Sequence, residues 1–285
     1  MAWSRLGLIA GGGELPVHVA EAARREGRLG CVIALQGFAE PERYEAPVSV
    51  GLGQLGGVLK ALAAAQCDAV CFAGIVPRPD FSNLKLDMKA VASFPKVLAA
   101  AARGDDALLR AVVRIFEAEG LAVVGADEIA SQLTVREGLV GAIGPDDQSR
   151  ADALKALHVA GVIGAEDIGQ GAVVADGLVL AVEAQEGTDA MLSRVASLPQ
   201  AVRGESQARR GVLAKRPKPG QECRVDLPVI GVSTIEGAAR AGLAGVAAPA
   251  GGALILGREA VAAAADAAGL FVWGVAPEQM SADDD

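Results

Sequence analysis

Residues 6–27 read LGLIAGGGELPVHVAEAARREG and decide the fold of the first half of the chain. A short apolar run, Leu6–Ala10, leads into three glycines, and the segment from Leu15 to Gly27 has the apolar spacing of an amphipathic helix. Apolar runs of this kind alternate with helical patterns along the first half, which is typical of a parallel sheet with helices on both faces. The sequence therefore predicts an α/β protein with a Rossmann-like N-terminal domain.

The rest of the first half continues this alternation. Further strands are expected at residues 31–35, 69–74 and 122–125, and helices at 54–66, 84–103 and 105–120. Pro95 is expected to kink or break the helical region 84–103, because proline lacks the N–H that a helix interior needs.

The second half has a different pattern. Asp176–Gly177 separates two apolar runs, which predicts a hairpin with a tight primed turn. Thr188 and Thr234 precede helical patterns and are expected to act as N-caps. Between the two halves, residues 135–148 are rich in glycine and show no regular apolar spacing, which indicates a linker. The sequence therefore predicts a nucleotide-binding domain at 1–134, a linker at 135–148, a mixed α/β domain at 149–277 and a tail at 278–285.

Composition limits the classes of function. The chain has 285 residues and 52% hydrophobic residues, which is enough material for two buried cores. The net charge is -9 without a basic stripe, so nucleic acid is not expected as a partner. The longest uncharged stretch, 241–257, is shorter than the roughly 20 apolar residues of a membrane span. The start of the chain also lacks the pattern of a secretory signal, which predicts a cytoplasmic protein.

The glycines at 11, 12 and 13 predict a phosphate site. They end a strand and begin a helix, where backbone N–H groups and the helix dipole favour an anion. A tight turn without a ligand is the alternative. A dinucleotide fingerprint is not complete, since Pro16 occupies the position of its third glycine and Leu35–Gln36–Gly37 offers no acid for the ribose. A mononucleotide or nucleotide sugar is therefore favoured over NAD.

Carboxylates cluster at two places in the second half. The stretch Glu183–Asp189 contains three of them at a change from strand to helix, which suits Mg²⁺ or Mn²⁺. Asp226 precedes an apolar run and follows Lys215 and Lys218, so an acid and cations could together hold a metal and a phosphate. A capped helix start and a surface ion-pair cluster are the alternatives. Asp105 and Asp106 open a helix, either as capping residues or beside the nucleotide site.

Six short motifs occur in order along the chain and together carry a family resemblance. They are Gly11–Pro16, Gly104–Asp106, Asp167–Gln170, Glu183–Asp189, Lys218–Gln221 and Asp226–Pro228. The chain from about Leu6 to Gly274 resembles the LpxI-type UDP-2,3-diacylglucosamine pyrophosphatases of Gram-negative bacteria. The resemblance implies hydrolysis of UDP-2,3-diacylglucosamine to UMP and 2,3-diacylglucosamine 1-phosphate in lipid A synthesis. It also implies a divalent cation and an active site between the Rossmann-like domain and a C-terminal domain of unusual fold.

The candidate site combines residues of these motifs with two residues outside them, Lys215 and Gly74. Asp226, Lys215 and Glu186 are the expected catalytic residues, and Asp226, Glu186 and Asp189 are the expected ligands of Mg²⁺ or Mn²⁺. The expected substrate-binding residues are Gly11, Gly12, Gly13, Glu14, Gly74, Asp105, Gln170, Thr188 and Lys218.

Two other functions remain open at this stage. One is a nicotinamide- or flavin-dependent oxidoreductase, and the other is a sensor that binds a nucleotide sugar without turnover. Because the implied substrate carries acyl chains, transient contact with the inner-membrane surface is expected, weakened by the acidic net charge. A homodimer is the expected assembly.

Overall fold

The computed structural model describes residues 3–280. The chain divides into two compact units, of which the first is Met1–Gln132 with Glu222–Asp226 and the second is Leu133–Gln221 with Leu227–Asp285. The sequence assigned residues 149–277 to one domain, but the short segment Glu222–Asp226 groups with the first unit. Val225 packs against the core of that unit, which explains the grouping.

The first unit contains a sheet of five parallel strands in the order β3-β2-β1-β4-β5. The strands are β1 Leu6–Ala10, β2 Leu29–Leu35, β3 Val48–Val50, β4 Ala69–Ala73 and β5 Ala122–Val123. This order confirms the prediction of a Rossmann-like sheet. The sequence reading missed β3, because a strand of three residues is too short to show a period.

The α-helices described in the first unit are α1 Leu15–Arg25, α2 Leu55–Ala64, α3 Met88–Ala101, α4 Asp105–Ala118 and α5 Ala126–Ile129. The helix α3 runs through Pro95 without a break, so of the two expected outcomes, a kink or a break, the break is wrong. Pro95 is exposed, and water can solvate the carbonyl that loses its helical partner. The helix starts at Met88 because Asp87 caps it, accepting a hydrogen bond from the N–H of Ala90 at 2.8 Å.

One apolar core lies between this sheet and the helices α2 and α4. Ile33 and Val70 from the strands pack with Leu62 and Phe116 from the helices. The rings of Phe72 and Phe116 meet edge to face with centroids 5.1 Å apart. This core holds α4 against the sheet, and the start of α4 carries two of the candidate residues.

The second unit contains a sheet of six strands in the order β6-β15-β13-β11-β7-β8. The strands are β6 Gly138–Leu139, β7 Gly171–Ala175, β8 Leu178–Val182, β11 Val212–Lys215, β13 Gly245–Pro249 and β15 Phe271–Val275. The three central strands β11, β13 and β15 are parallel. β6 pairs antiparallel with β15, β7 pairs antiparallel with β11, and β8 pairs antiparallel with β7. A second domain of mixed α/β structure was therefore predicted correctly.

The remaining elements of the second unit are short strand pairs and helices. The pairs are β9 Gly204–Glu205 with β10 Ala208–Arg209, and β12 Val229–Ile230 with β14 Leu254–Ile255. The helices are α6 Asp147–Ala165, α7 Gly187–Ala196, α8 Gln200–Arg203, α9 Val232–Arg240, α10 Arg258–Ala268 and α11 Pro277–Met280. One apolar core gathers residues of α7, α9 and α10 with the sheet, and another gathers residues of α6 with the sheet.

The hairpin predicted at Asp176–Gly177 is confirmed. Both residues have positive φ, at 49° and 77°, as a primed turn requires. The predicted linker 135–148 is not free of structure, because β6 lies within it and pairs with β15. The predicted tail 278–285 starts within the helix Pro277–Met280, and residues 281–285 lie outside the described residues.

Both predicted threonine caps are wrong. The helix α7 begins at Gly187, so Thr188 is already helical and its hydroxyl donates to Glu183 Oε1 at 2.9 Å. The helix α9 begins at Val232, and Thr234 instead lies in its first turn, where its hydroxyl accepts a hydrogen bond from the N–H of Gly231.

None of the helices described between residues 3 and 280 is both long enough and apolar enough to cross a membrane. The uncharged stretch 241–257 contains the strands β13 and β14.

Candidate functional site

Two glycine-containing loops lie at the topological switch point of the first sheet. β1 is the central strand, with β2 on one side and β4 on the other, so the chain leaves β1 and β4 at one edge of the sheet. Gly11, Gly12 and Gly13 follow β1, and Gly74 follows β4. In open parallel sheets, ligands bind outside the carboxyl ends of the strands at such a point.

Hydrogen bonds join these two loops. The N–H of Gly11 donates to Ala73 O at 2.8 Å, and Gly12 and Ile75 exchange two backbone bonds of 2.9 Å each. The N–H groups of Gly11 and Gly12 therefore serve the protein itself. In the described chain, the N–H groups of Gly13, Glu14 and Leu15 have no protein acceptor, and they lie at the start of α1, where an anion is favoured.

Gly74 is required by the close approach of the two loops. Its φ is +96°, and a Cβ there would lie 2.6 Å from both Gly12 O and Pro16 Cγ. A side chain at this position would push the first glycine loop away. Gly74 therefore fixes the shape of the switch point.

Glu14 lies beside the free N–H groups and is held by Arg43. The guanidinium of Arg43 donates to both carboxylate oxygens of Glu14, at 2.8 and 2.6 Å. These hydrogen bonds keep the pKa of Glu14 below its usual range. The pair is neutral as a whole, so the ionised Glu14 need not repel a phosphate group at the start of α1.

The two aspartates at the start of α4 have different partners. Arg78 donates to Asp105 Oδ1 at 2.6 Å and to Ala101 O at 2.7 Å, which ties the loop after β4 to α3. Asp106 pairs with Arg110 one turn further along the helix. Its other oxygen accepts a hydrogen bond from the N–H of Glu222 at 3.0 Å.

The segment Glu222–Asp226 is anchored to the first unit at three points. The bond from Glu222 to Asp106 is the first. Arg224 supplies the second, because its Nη1 donates to Glu117 Oε1 at 2.9 Å while its Nε and Nη2 donate to the two carboxylate oxygens of Glu222 at 2.6 and 2.7 Å. Val225, packed against the core, is the third. The segment ends in a turn, with the N–H of Asp226 bonded to Glu222 O at 3.3 Å.

Cys223, three residues before Asp226, has acidic neighbours in the first unit. Burial raises the pKa of the Cys223 thiol, and the charges of Asp127, Glu222 and Asp226 raise it further. Cys223 is therefore a protonated and weakly nucleophilic thiol at neutral pH. All four cysteines of the chain are free.

Three neighbouring strands of the second unit bring a buried glutamate and a buried lysine to one end of the sheet. Lys215 at the end of β11 is paired with Gly171 at the start of β7, and the N–H of Glu183, just after β8, donates to Gly171 O at 2.8 Å. Residues directly opposite in antiparallel strands share a face, so Glu183 and Lys215 lie on one face on either side of a glycine. Both are buried, each 6% exposed.

The glycine between them makes room for the carboxylate. A Cβ at Gly171 would lie 2.4 Å from Glu183 Oε2. Thr188 donates to Glu183 Oε1, but Oε2 has no hydrogen-bond partner in the described chain, and neither has the buried Oε1 of Gln170. Native proteins rarely leave buried acceptors unsatisfied, so these two oxygens mark a place where a ligand could supply donors.

Lys218 lies close to this region in the chain and is held by an acid. Its ammonium contacts Asp167 Oδ1 at 2.6 Å, and its backbone N–H is bonded to Gln221 Oε1 at 2.7 Å. The backbone N–H of Arg216 bonds to Gln170 O at 2.9 Å, which joins the 167–170 loop to the end of β11. The motifs containing Gln170 and Lys218 therefore lie together within the second unit, as do Glu183, Thr188 and Lys215.

The expected metal ligands in the second unit have other contacts. Glu186 accepts a hydrogen bond from Arg194 at 2.6 Å, and bonding to its own backbone N–H and to Arg194 lowers its pKa. Asp189 is exposed in the first turn of α7. Between residues 3 and 280, no three His, Cys, Asp or Glu side chains are grouped as ligands of a metal ion. The ligand set Asp226, Glu186 and Asp189 stays a prediction.

The predicted site residues are divided between the two units. The glycine loop, Glu14, Gly74, Asp105 and Asp226 belong to the first, while Gln170, Glu186, Thr188, Asp189, Lys215 and Lys218 belong to the second. Sequence reasoning passed over Glu183 as an individual residue. Its signal was present, since Glu183 follows the inward-facing Ala181 by two residues at the end of an apolar strand.

Comparisons with known proteins agree with this division. Residues 5–133 match the LpxI N-terminal domain, and residues 136–273 match the LpxI C-terminal domain. The chain is 56% identical over 277 residues to the UDP-2,3-diacylglucosamine pyrophosphatase LpxI of Caulobacter vibrioides, covering 96% of this chain and 99% of that protein. An identity of this size over nearly the whole length, with both domains matched in order, shows that the chain belongs to the LpxI family.

Proposed function

We propose that this chain is an enzyme that hydrolyses the pyrophosphate of UDP-2,3-diacylglucosamine, releasing UMP and 2,3-diacylglucosamine 1-phosphate for lipid A synthesis. The observation that carries the proposal is the identity of 56% to a pyrophosphatase with this substrate in its name, over nearly the full length of both chains.

The nucleotide end of the substrate fits the switch point of the first unit. The N–H groups of Gly13, Glu14 and Leu15 are donors without protein acceptors at the start of a helix of 11 residues. The helix dipole adds a partial positive charge there, so a diphosphate would be stabilised. Gly11, Gly12 and Gly74 shape this loop, because a Cβ at any of them would meet atoms of a neighbouring loop.

Asp226 is the proposed catalytic carboxylate. Pyrophosphate cleavage needs a water placed in line and charge neutralised on the phosphoryl oxygens. A carboxylate suits the first task because it accepts a hydrogen bond from water and can orient it. Three anchors fix the segment that carries Asp226, which limits the freedom of the carboxylate.

The acylated sugar end fits the polar cluster of the second unit. Glu183 Oε2 and Gln170 Oε1 are buried acceptors without a protein donor, and a glucosamine unit offers hydroxyl and amide donors. Lys215 and Lys218 are cations on the same unit that would stabilise phosphoryl oxygens as point charges. Lys215 is aligned by a bond from its Nζ to Val229 O at 3.0 Å.

We also propose that the activity depends on a divalent cation, Mg²⁺ or Mn²⁺. The chain does not gather three carboxylates for it within the described residues, but Mg²⁺ is often held by one or two carboxylates together with substrate phosphates and water. Asp226 fits that smaller donor set. When bound, the cation would neutralise charge on the pyrophosphate. Glu186 and Asp189 remain the proposed additional ligands.

The proposed setting is the cytoplasm, with peripheral contact at the inner membrane, and the proposed assembly is a homodimer. A diacylated substrate resides in a bilayer, so an enzyme that uses it must reach the bilayer surface. Size-exclusion chromatography with light scattering would measure the assembly directly.

The test is an assay of UMP release from UDP-2,3-diacylglucosamine in detergent micelles, with purified protein, with EDTA, and with EDTA followed by Mg²⁺ or Mn²⁺. We expect turnover by the wild-type protein, loss with EDTA and recovery with the added metal. The Asp226→Ala protein should fold, as checked by circular dichroism, and lose turnover by at least about 100-fold. Binding without any turnover would identify the chain as a sensor instead. Full activity in EDTA would refute the proposed cation.

A further inference from the structure

The helix α3 of the first unit presents an unpartnered apolar stripe to solvent. Met88, Val91, Pro95, Leu98 and Ala102 follow one another at spacings of three and four residues, which places them on one side of the helix. All five are exposed, Met88 at 92%, Val91 at 56% and Leu98 at 47%. The opposite side is the buried one, where Ala90 and Ala101 face the protein.

A row of cations flanks this stripe. Lys89, Lys96 and Arg103 are seven residues apart, so they lie nearly in line along one side of the exposed face. Residues 85–103 contain four cations and only one acid, Asp87, whose carboxylate is turned inward to cap α3 and to accept the N–H of Gly56 at 2.6 Å. The local charge is therefore positive on a chain whose net charge is -9.

A groove between α3 and α4 continues the basic row. It has a volume of about 660 Å³ and is lined by Lys96, Arg103 and Arg114, with alanines and Ile115 as its apolar lining. The only acid among its lining residues, Glu119, is paired with Lys89 at 2.6 Å. Lys96, Arg103 and Arg114 have no ion pair within the described residues, so their charges are available to an anionic group.

We propose that this face of α3, with the basic groove beside it, is the surface by which the protein docks on a bilayer containing anionic phospholipid. An amphipathic helix with an apolar side and Lys or Arg on its flank lies in the membrane interface, with its apolar side in the acyl boundary and its cations at the headgroups. The groove would receive a phosphate headgroup, and the exposed stripe would enter the boundary region.

Charge favours a lipid surface over a second copy of the chain. A twofold contact through this stripe would bring the same basic row of both copies together, and like charges in contact are unfavourable. An anionic bilayer instead offers the opposite charge to every cation of the row. The proposal also rests in part on the proposed function, since a diacylated substrate has to be taken from a bilayer.

The test is sedimentation of the full-length protein with vesicles of phosphatidylcholine, with or without phosphatidylglycerol, at low and high salt and without substrate. We expect binding to the anionic vesicles that falls at high salt, because salt screens the headgroup contacts. The pair Val91→Ser and Leu98→Ser should weaken binding about tenfold or more, and so should the pair Lys96→Glu and Arg103→Glu.

Matched controls separate the surface from general effects. Leu178→Ser with Val179→Ser removes two exposed apolar side chains from β8, and Arg24→Glu with Arg25→Glu makes the same charge change on α1. Both controls should bind as the wild type does. Unchanged binding by the α3 variants, or no vesicle binding by the wild type, would overturn the proposal.

Two further readouts complete the design. If light scattering shows a dimer that Val91→Ser with Leu98→Ser converts to a monomer, the stripe is a subunit interface and the proposal is wrong. UMP release from substrate in detergent micelles, where no bilayer is present, should be unchanged in the α3 variants. Because vesicle binding is measured without substrate, its failure is distinguishable from failure of the proposed enzymatic function.

Discussion

Asp106, in the first turn of α4, accepts a hydrogen bond from the backbone N–H of Glu222 at 3.0 Å. These residues are 116 positions apart in the chain, yet this bond fixes the start of the segment that carries Asp226. The carboxylate proposed for catalysis is thus positioned by a helix of the first unit. A positioning role for Asp106 follows, acting through the backbone of the segment.

The first prediction concerns Asp106→Ala. A hydrogen bond to a charged acceptor contributes about 1.5–3 kcal/mol, so its loss should weaken the attachment of the segment by that free energy. We expect kcat for UMP release to fall about tenfold or more while the affinity for UDP, measured by calorimetry, stays unchanged. Asp147→Ala, which removes an acid from the first turn of α6, is the control and should keep full activity. An unchanged kcat in Asp106→Ala would exclude the positioning role.

The sheet of the first unit could be predicted from the sequence because its signals are local. The apolar runs at Leu6–Ala10 and Ala69–Ala73 are continuous and are followed by glycines, so the ends of these two strands were predicted within one residue. The break allowed for at Pro95 does not occur in α3, since the effect of a proline depends on whether water can reach the carbonyl it leaves open. That exposure is a property of the fold.

The candidate site was harder to predict because its contacts are distant in sequence. The motif containing Asp226 was recognised, but nothing near it shows that Asp106 and Glu117 hold it, more than 100 positions away. The cap predicted at Thr188 failed for a related reason, because its hydroxyl donates to Glu183, a contact that the local sequence does not show. Side-chain partners of this kind are set by strand register.

The second prediction is a dependence of stability on pH through Glu222. Hydrogen bonds from Arg224 lower the pKa of Glu222 in the folded protein. The contribution of Glu222 to the free energy of unfolding is therefore fully present above its pKa in the unfolded chain, about 4.3. This contribution is lost as the pH falls through the lower pKa of the folded protein. Glu222→Gln should lower the free energy of unfolding by about 1 kcal/mol at neutral pH, and this difference should shrink below about pH 4.

Thermal unfolding of both proteins across that pH range would measure the effect. Glu205→Gln, at an exposed glutamate of β9, is the control and should follow the wild type at every pH. A difference between Glu222→Gln and wild type that stays constant down to the lowest pH would contradict the assignment to this carboxylate.

The third prediction concerns Gly74→Ala at the switch point. The substitution combines a positive φ of +96° with a Cβ 2.6 Å from Gly12 O, so the glycine loop must move. We expect UDP affinity to fall at least tenfold by calorimetry. Gly120→Ala is the matched control, because its φ is +85° while nothing lies within 4 Å of the added Cβ. Equal UDP affinity in both variants would remove Gly74 from the proposed nucleotide site.

The fourth prediction concerns Glu183→Gln in the second unit. Glu183 is 6% exposed, and its Oε2 has no hydrogen-bond partner in the described chain. A buried polar atom without a partner costs about 1–3 kcal/mol, and more when it is charged. Removing the charge should therefore leave the free energy of unfolding unchanged or raise it by about 1 kcal/mol. If Glu183 instead stabilised the fold through an ion pair, Glu183→Gln would lower the free energy of unfolding.

The same variant, Glu183→Gln, should lose activity although its free energy of unfolding does not fall. If Glu183 accepts donors of the sugar, kcat/KM for UMP release should fall at least tenfold in Glu183→Gln, which corresponds to about 1.4 kcal/mol. Thr188→Val removes the donor to the other carboxylate oxygen and should give a smaller loss of the same kind. Lower stability with unchanged kcat/KM would identify Glu183 as a structural residue. Unchanged or higher stability with reduced kcat/KM would show that its unsatisfied oxygen is kept for the substrate.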